Sequence, residues 1–189
     1  MNHKEREVAT ASELIAAASD ATAAAIVVKA NLAGLPTFRL SPGRTLSGAT
    51  SSVVLHFAAG QDGVQLSADN QVKDLAIETD PERRALYNDT KVGHLGRLEL
   101  LNLRTIGTIR LLANDKVRSG HVEAENIEIA SADARGYTER AKGYGVEVVP
   151  GAFVLWNQQT DRSVTITAKL SSLSAGRAGA PLCGAAVFS

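Results

Sequence analysis

The sequence predicts an all-β chain wound as a right-handed parallel β-helix, a solenoid of stacked coils, closed at its N-terminal end by one short α-helix. Three observations predict it. Apolar and polar residues alternate through many short segments bounded by Gly, Asn, Asp and Ser. A small polar residue followed by an aliphatic one recurs at intervals of a whole coil. The apolar share of 44% comes mostly from small aliphatics, with aromatics at only 4%, which suits a narrow repetitive interior.

The elements follow in order. Residues 1–9, charged and without apolar period, read as a flexible tail, and 10–189 as a single β-helix domain, or as the N-terminal part of a longer solenoid. Thr10 and Glu13 form a capping-box pattern, with Leu14, Ile15 and Ala18 following at helical spacing, so a helix is expected over 11–19. It should plug the N-terminal mouth, because an open coil end leaves apolar core and strand edges bare. The period then becomes that of a strand: 25–28, then Phe38 and Leu40, then Val53, Leu55 and Phe57, then Val64 and Leu66.

The repeat emerges when 72–77, 100–105 and 124–129 are aligned. Asp74, Asn102 and Asn126 fall in register, each followed by an aliphatic: Leu75, Leu103 and Ile127. Such side chains bond locally and tolerate left-handed dihedrals, as a one-residue corner between strands requires. Stacked corners would let the amides bond one another along the solenoid. In this register Leu75, Leu100, Leu103, Val122 and Ile127 point inward, and Lys73, Glu99, Arg104, Glu123 and Glu128 outward. The rival architecture is an antiparallel sandwich, but hairpin dipeptides are nearly absent, Asp62-Gly63 being the exception.

The helix, then IVVKANLAG at 26–34, TFRLSPGRTLSGA at 37–49 and DGVQLSADNQVKDLAIE at 62–78 resemble the N-terminal cap and first coils of the pectin lyase-like β-helix superfamily. The resemblance spans most of 10–175 and lies in coil pattern, not in a catalytic signature. It implies three sheets. Many of those relatives act on or bind polysaccharides and others are non-catalytic scaffolds, so the fold says little about activity. The clustered catalytic aspartates and the arginine of the degrading members have no match in this sequence.

Charge narrows the function. Twenty basic residues balance twenty acidic ones, which argues against nucleic acid and against attachment to an anionic membrane. No apolar run is long enough to span a bilayer. A single cysteine, Cys183, leaves no intrachain disulfide. The opening lacks a secretory leader, so the compartment reads as cytoplasmic, or as that of a secreted protein whose leader has been removed. No phosphate loop, metal spacing or nucleophile elbow is present, and no cofactor or metal is expected.

Two regions carry candidate chemistry. Glu99 and Glu123 should stack outward on adjacent coils, with Gln71 one coil below and His121 beside them, opposite Arg97. Carboxylates about 5 Å apart are the arrangement of a retaining glycosidase, which makes Glu99, Glu123 and His121 the catalytic candidates; the plainer reading is a solvated charged face balanced by Arg97, Lys73 and Arg104. Arg104 and Glu128 should form a cross-strand ion pair. Two stretches, 87–94 and 133–144, interrupt the coil pattern as longer loops. The second carries Arg135, Tyr137, Arg140 and Tyr144, whose cations and rings suit an acidic sugar. With Phe153 and Leu155 inward, Trp156 is expected outward and exposed, a further stacking platform.

The expected role is therefore a binding or surface-display scaffold, with polysaccharide as its partner. The alternatives are a polysaccharide lyase or glycoside hydrolase, and a structural solenoid that self-assembles; whether the chain is an enzyme stays open. At the other end the pattern continues through Val164, Ile166, Leu170 and Leu173, and 185–189 reads as a strand beginning with no polar cap after it. This predicts an uncapped last coil with Val187 and Phe188 at an edge, and a fragment or a homodimer formed through that coil.

Overall fold

The computed structural model describes residues 4–20, 22–114, 117, 119–134, 139–140, 147–148, 151–157 and 166–178. They form a parallel β-solenoid of about five turns with one short helix near the N-terminus. The chain opens with β1 (Lys4–Val8), which pairs in parallel with β2 (Ala23–Val28). The expectation of a tail over 1–9 is therefore corrected at 4–8. Its Lys-Glu-Arg-Glu pattern gives no apolar signal; backbone pairing to β2, the buried Val8, and ion pairs from Arg6 to Asp20 (2.5 Å) and from Lys29 to Glu7 (2.9 Å) hold it.

Helix α1 (Ala11–Ser19) occupies the span the sequence predicts. The Glu13 backbone N–H donates to Thr10 Oγ1 at 3.3 Å, and Glu13 Oε2 accepts from the Thr10 and Ala9 backbone N–H groups at 3.0 and 2.8 Å. Those bonds, the Ala9 amide first, hold the Glu13 carboxyl below its ordinary range. Leu14, Ala17 and Ala18 are buried and Ile15 packs against the core. The helix contacts β1, β2 and the first coil's later strands β3 (Leu32–Leu35) and β4 (Phe38–Arg39), and so lies across the coil end.

Successive coils repeat one path. The second contains β5 (Thr45–Gly48), β6 (Val54–Phe57) and β7 (Val64–Leu66). The third contains β8 (Gln71–Glu78) and β9 (Arg84–Asn88), and the fourth β10 (Gly96–Ile106) and β11 (Thr108–Ala113). The fifth begins with β12 (Gly120–Ala132), includes the antiparallel pair β13 (Glu139–Arg140) and β14 (Glu147–Val148), and reaches β15 (Phe153–Asn157). Strand β16 (Ile166–Ala178) then returns to the first sheet. Strands β1, β2, β5, β8, β10, β12 and β16 run side by side in a nine-stranded sheet that also takes in β3 and β6; β4, β7, β9, β11 and β15 form a second sheet of five.

The larger sheet bends along a line of corner residues. Asp74, Asn102 and Asn126 have φ of 55°, 53° and 54°, with Ser172 at 49° as a fourth member not anticipated from the alignment. Asn102 Nδ2 donates to Asp74 Oδ1 at 2.8 Å, across 28 residues, and Asn126 Nδ2 donates to Asn102 Oδ1 at 3.1 Å, across 24. The ladder is real, although Asn102 and Asn126 are exposed rather than buried. In the earlier coils short loops replace the single-residue corner, and Asn31 Oδ1 accepts from the Val54 backbone N–H at 2.9 Å.

Between the sheets runs one continuous aliphatic core. Leu75, Leu100, Leu103, Val122 and Ile127 all belong to it, as the register requires. Its buried polar groups are bonded where they enter it: Ser67 Oγ donates to the Leu40 carbonyl at 2.6 Å, and Asn70 Oδ1 accepts from the Ser67 backbone N–H at 2.7 Å. The Asp62-Gly63 dipeptide is not a hairpin. Gly63 passes so close to the next coil that a Cβ would sit 2.1 Å from the Ala85 carbonyl oxygen. Leu170 and Leu173 pack against the end of the core; Val164, Val187 and Phe188 lie outside the described residues.

Candidate functional site

Two outward surfaces differ in character. On the larger sheet Glu99 pairs with Glu123 across β10 and β12, with Gln71 on β8 below and Lys169 on β16 above. The two carboxylates do not face one another bare. Arg97 lies between them, its Nε on Glu99 Oε1 and its Nη2 on Glu123 Oε2 at 2.5 Å. Gln71 Nε2 donates to Glu99 Oε2 at 2.5 Å, and Lys169 Nζ donates to Glu123 Oε1 at 2.7 Å. All four carboxylate oxygens thus accept a hydrogen bond from a cation or an amide. The Lys169 bond first, with Arg97 adding to it, holds the Glu123 carboxyl below its ordinary range against a smaller opposing effect of desolvation; the same bond pushes Lys169 up, while Arg97 is pushed up by Glu99 first and by Glu123 after it.

The cations that balance this pair are Arg97 and Lys169, not Lys73 and Arg104. A general acid needs a carboxyl held protonated near neutral pH; Glu123 is shifted the opposite way. His121 sits two residue pairs back along the strands, opposite Arg97 as expected, with Nδ1 2.6 Å from Thr167 Oγ1. A second outward row crosses the corner line: Arg104 Nη1 meets Glu78 at 3.1 Å, Arg104 Nε meets Glu128 at 3.6 Å, and His56 Nδ1 lies 3.1 Å from Glu78. The Arg104–Glu128 pair is the one expected. Among the described residues no cluster of three or more His, Cys, Asp or Glu is arranged to hold a metal ion.

The five-stranded sheet presents a different exterior. Its outward row runs Arg39, Gln65, Tyr87, Arg110 and Val154 in register on β4, β7, β9, β11 and β15. Tyr87 is 9% exposed, Arg110 4% and Val154 5%. The Arg84 guanidinium lies over the Tyr87 ring, 3.9 Å from its centroid, while its Nε donates to Asp62 Oδ2 at 3.1 Å. Burial pushes the Tyr87 phenol up, with Arg84 opposing. The Asn88 amide docks on the next strand as a short false strand: Nδ2 donates to the Leu112 carbonyl at 2.8 Å and Oδ1 accepts its N–H at 2.7 Å. Around these groups lies a concavity of about 240 Å³, with Lys91 and Asp89 on its wall.

Sequence reasoning placed Tyr87, Asn88, Asp89 and Lys91 together in a pattern-breaking loop at 87–94. The structure keeps Tyr87 and Asn88 in β9 and starts the loop after them. Gln65, Arg84 and Arg110 were missed. Their only signal was position, since each is a polar side chain inside a short strand of aliphatics.

Trp156 requires a correction. It does point opposite to Phe153 and Leu155, but it is 4% exposed and packs with Val154 and Leu112 in a small separate apolar cluster. Alternation gave its direction, whereas its burial depends on neighbours the local pattern does not encode. It is not an open stacking platform. Arg135, Tyr137 and Tyr144, and the Arg140 side chain, lie outside the described residues. No protein-family model, curated protein or solved structure matches the chain at a significant level.

Proposed function

We propose that this chain is a non-catalytic β-solenoid on the pectin lyase-like plan, binding carbohydrate along the outward row of its larger sheet. The supporting observation is the fully bonded row formed by Gln71, Glu99, Arg97, Glu123 and Lys169. Parallel coils set such groups about 4.8 Å apart and hold them rigidly, so a repeating chain meets a repeating set of amide, carboxylate and cationic partners. Arg135, Tyr137, Arg140 and Tyr144 belong to the same proposal as further contacts for an acidic sugar. A glycan array run beside reducing-sugar and unsaturated-product assays tests it. Binding without product, weakened in the Glu99→Gln/Glu123→Gln double variant, is the expected result. Product formation that disappears in that variant would make the chain a lyase or hydrolase instead.

A second reading, self-assembly, is favoured by one observation. Among the described residues β16 pairs with β12 on one side only, and Thr167, Ala168, Ser171, Ser172 and Ser174 along it are exposed. A strand edge of this kind is a template for pairing with a second copy. Light scattering over a concentration series distinguishes a dimer or a growing assembly from a monomer.

A further inference from the structure

The concavity outside the five-stranded sheet shares no residue with the proposed saccharide surface. We infer that it is a separate binding site for a small neutral molecule rich in hydroxyl groups, a monosaccharide or a comparable polyol. The charges on its wall are compensated within the protein. Arg84 pairs with Asp62, and Arg110 is engaged inside the fold as well. Asp89 pairs with Arg39 at 3.1 Å and accepts from the Lys91 backbone N–H at 2.8 Å. Among the described cations of the wall only the Lys91 side chain has no partner, and it is exposed. An anion would find little there that is not already bonded.

What remains is a set of neutral polar groups. The Tyr87 phenol, the Gln65 amide and the Thr90 hydroxyl line the same space, and among the described residues none of the three has a hydrogen-bond partner. Tyr87 is the telling one. It is 9% exposed, so its hydroxyl is held largely away from bulk water without a protein partner, a condition that costs stability unless an outside group bonds it. Burial pushes the phenol pKa up, so the group is an O–H through neutral pH. Phenol, amide and hydroxyl can each both donate and accept. A sugar hydroxyl does the same, whereas a phosphate or carboxylate only accepts. Leu112 adds apolar surface against which the C–H groups of such a ligand can pack. The volume of about 240 Å³ lies below the roughly 300 to 1,000 Å³ that takes drug-sized ligands, so it suits one ring or one short polyol. The wall is also preorganised: the Tyr87 ring lies under Arg84, which Asp62 holds, and Asn88 fixes the spacing of β9 and β11 through Leu112.

Ligand-observed NMR and calorimetric titration of the full chain with glucose, galactose and mannitol test the inference, with inorganic phosphate as the charged control. The single tryptophan gives a second readout, since Trp156 packs on Leu112, which lines the concavity. Tyr87→Phe removes only the phenol oxygen and leaves a ring under Arg84, so it should melt as the parent chain does; Gln65→Ala is the second variant. At least one of the three hydroxyl-rich probes should bind with a Kd of about 1 to 10 mM, independently of salt, and about five- to tenfold more weakly in Tyr87→Phe. Tighter binding of a hexose assigns a closed ring and tighter binding of mannitol an open polyol, and either supports the site. No binding of any of the three at about 100 mM, unchanged affinity in both variants, or phosphate binding more tightly than the sugars would each overturn the inference. The site can also fail independently of the saccharide surface. Probe binding lost in Glu99→Gln/Glu123→Gln but kept in Tyr87→Phe would assign the probes to the larger sheet and overturn this site alone.

Discussion

The outward rows of the two sheets obey the same alternation and meet different fates. On the larger sheet the row through Glu99 and Glu123 is polar at every step and neutralises itself through Arg97 and Lys169. On the five-stranded sheet Tyr87, Arg110, Val154 and Trp156 face equally outward and are almost wholly covered. Alternation thus fixes which way a side chain leaves the backbone, but not whether water is on the other side. The first row behaves as a surface whose energetics are screened and small, the second as a satellite core with a concavity beside it.

The largest test of that contrast is Trp156→Ala. A buried tryptophan should cost about 3 to 5 kcal/mol on truncation, whereas an open surface position would shift stability by no more than about 0.5 kcal/mol. A urea titration with an unchanged m-value separates the two. A small shift would dissolve the satellite core and reduce the comparison to one of composition.

Next comes Leu103→Ala, set against its neighbour Arg104→Ala. Leu103 is 3% exposed and lies in the continuous core, so its loss should cost about 2 to 5 kcal/mol. Arg104 faces outward in an exposed ion-pair row and should change stability by less than about 1 kcal/mol. Comparable values for the two would mean that the register is off by one residue.

A smaller effect is expected at the corner. Asn102→Leu forces a branched residue into a left-handed conformation and removes an amide from the ladder, for a cost of about 1 to 2 kcal/mol. Asn102→Gly keeps the conformational freedom and should cost less. Both variants lose the amide, so the difference between them reports the left-handed conformation alone, and thermal melts that show glycine no better than leucine would mean that this conformation contributes nothing.

The smallest effect is electrostatic. Folding lowers the Glu123 pKa below its ordinary 4.5, so the native chain binds fewer protons there than the unfolded chain does. The stabilisation is present in full above that ordinary value and is lost as the pH falls through the native one. An NMR-detected titration should give a depressed midpoint that moves upward in Lys169→Gln and with added salt. A midpoint unmoved by Lys169→Gln would show that Lys169 is not the cause.

By itself the sequence determined the local geometry. The capping box at Thr10 and Glu13 set the helix bounds, because both partners lie within one turn of each other. Asp74, Asn102 and Asn126 set the coil register, because a left-handed corner admits few side chains and each is followed by an inward aliphatic. The adjacency of Glu99 and Glu123 was legible for the same reason. Only the tertiary structure decided what those positions experience. Arg97 bridges the two carboxylates by the course of a long side chain, and β1 forms through backbone pairing that leaves no mark on side-chain pattern. Ser172 joins the corner line 46 residues beyond Asn126, past an insertion that breaks the repeat. The concavity of the five-stranded sheet draws Gln65, Tyr87 and Arg110 from three coils, and its neighbour Trp156 is buried by contacts remote in sequence. Direction and dihedral are local properties of a chain; burial and charge compensation belong to the packing of distant segments.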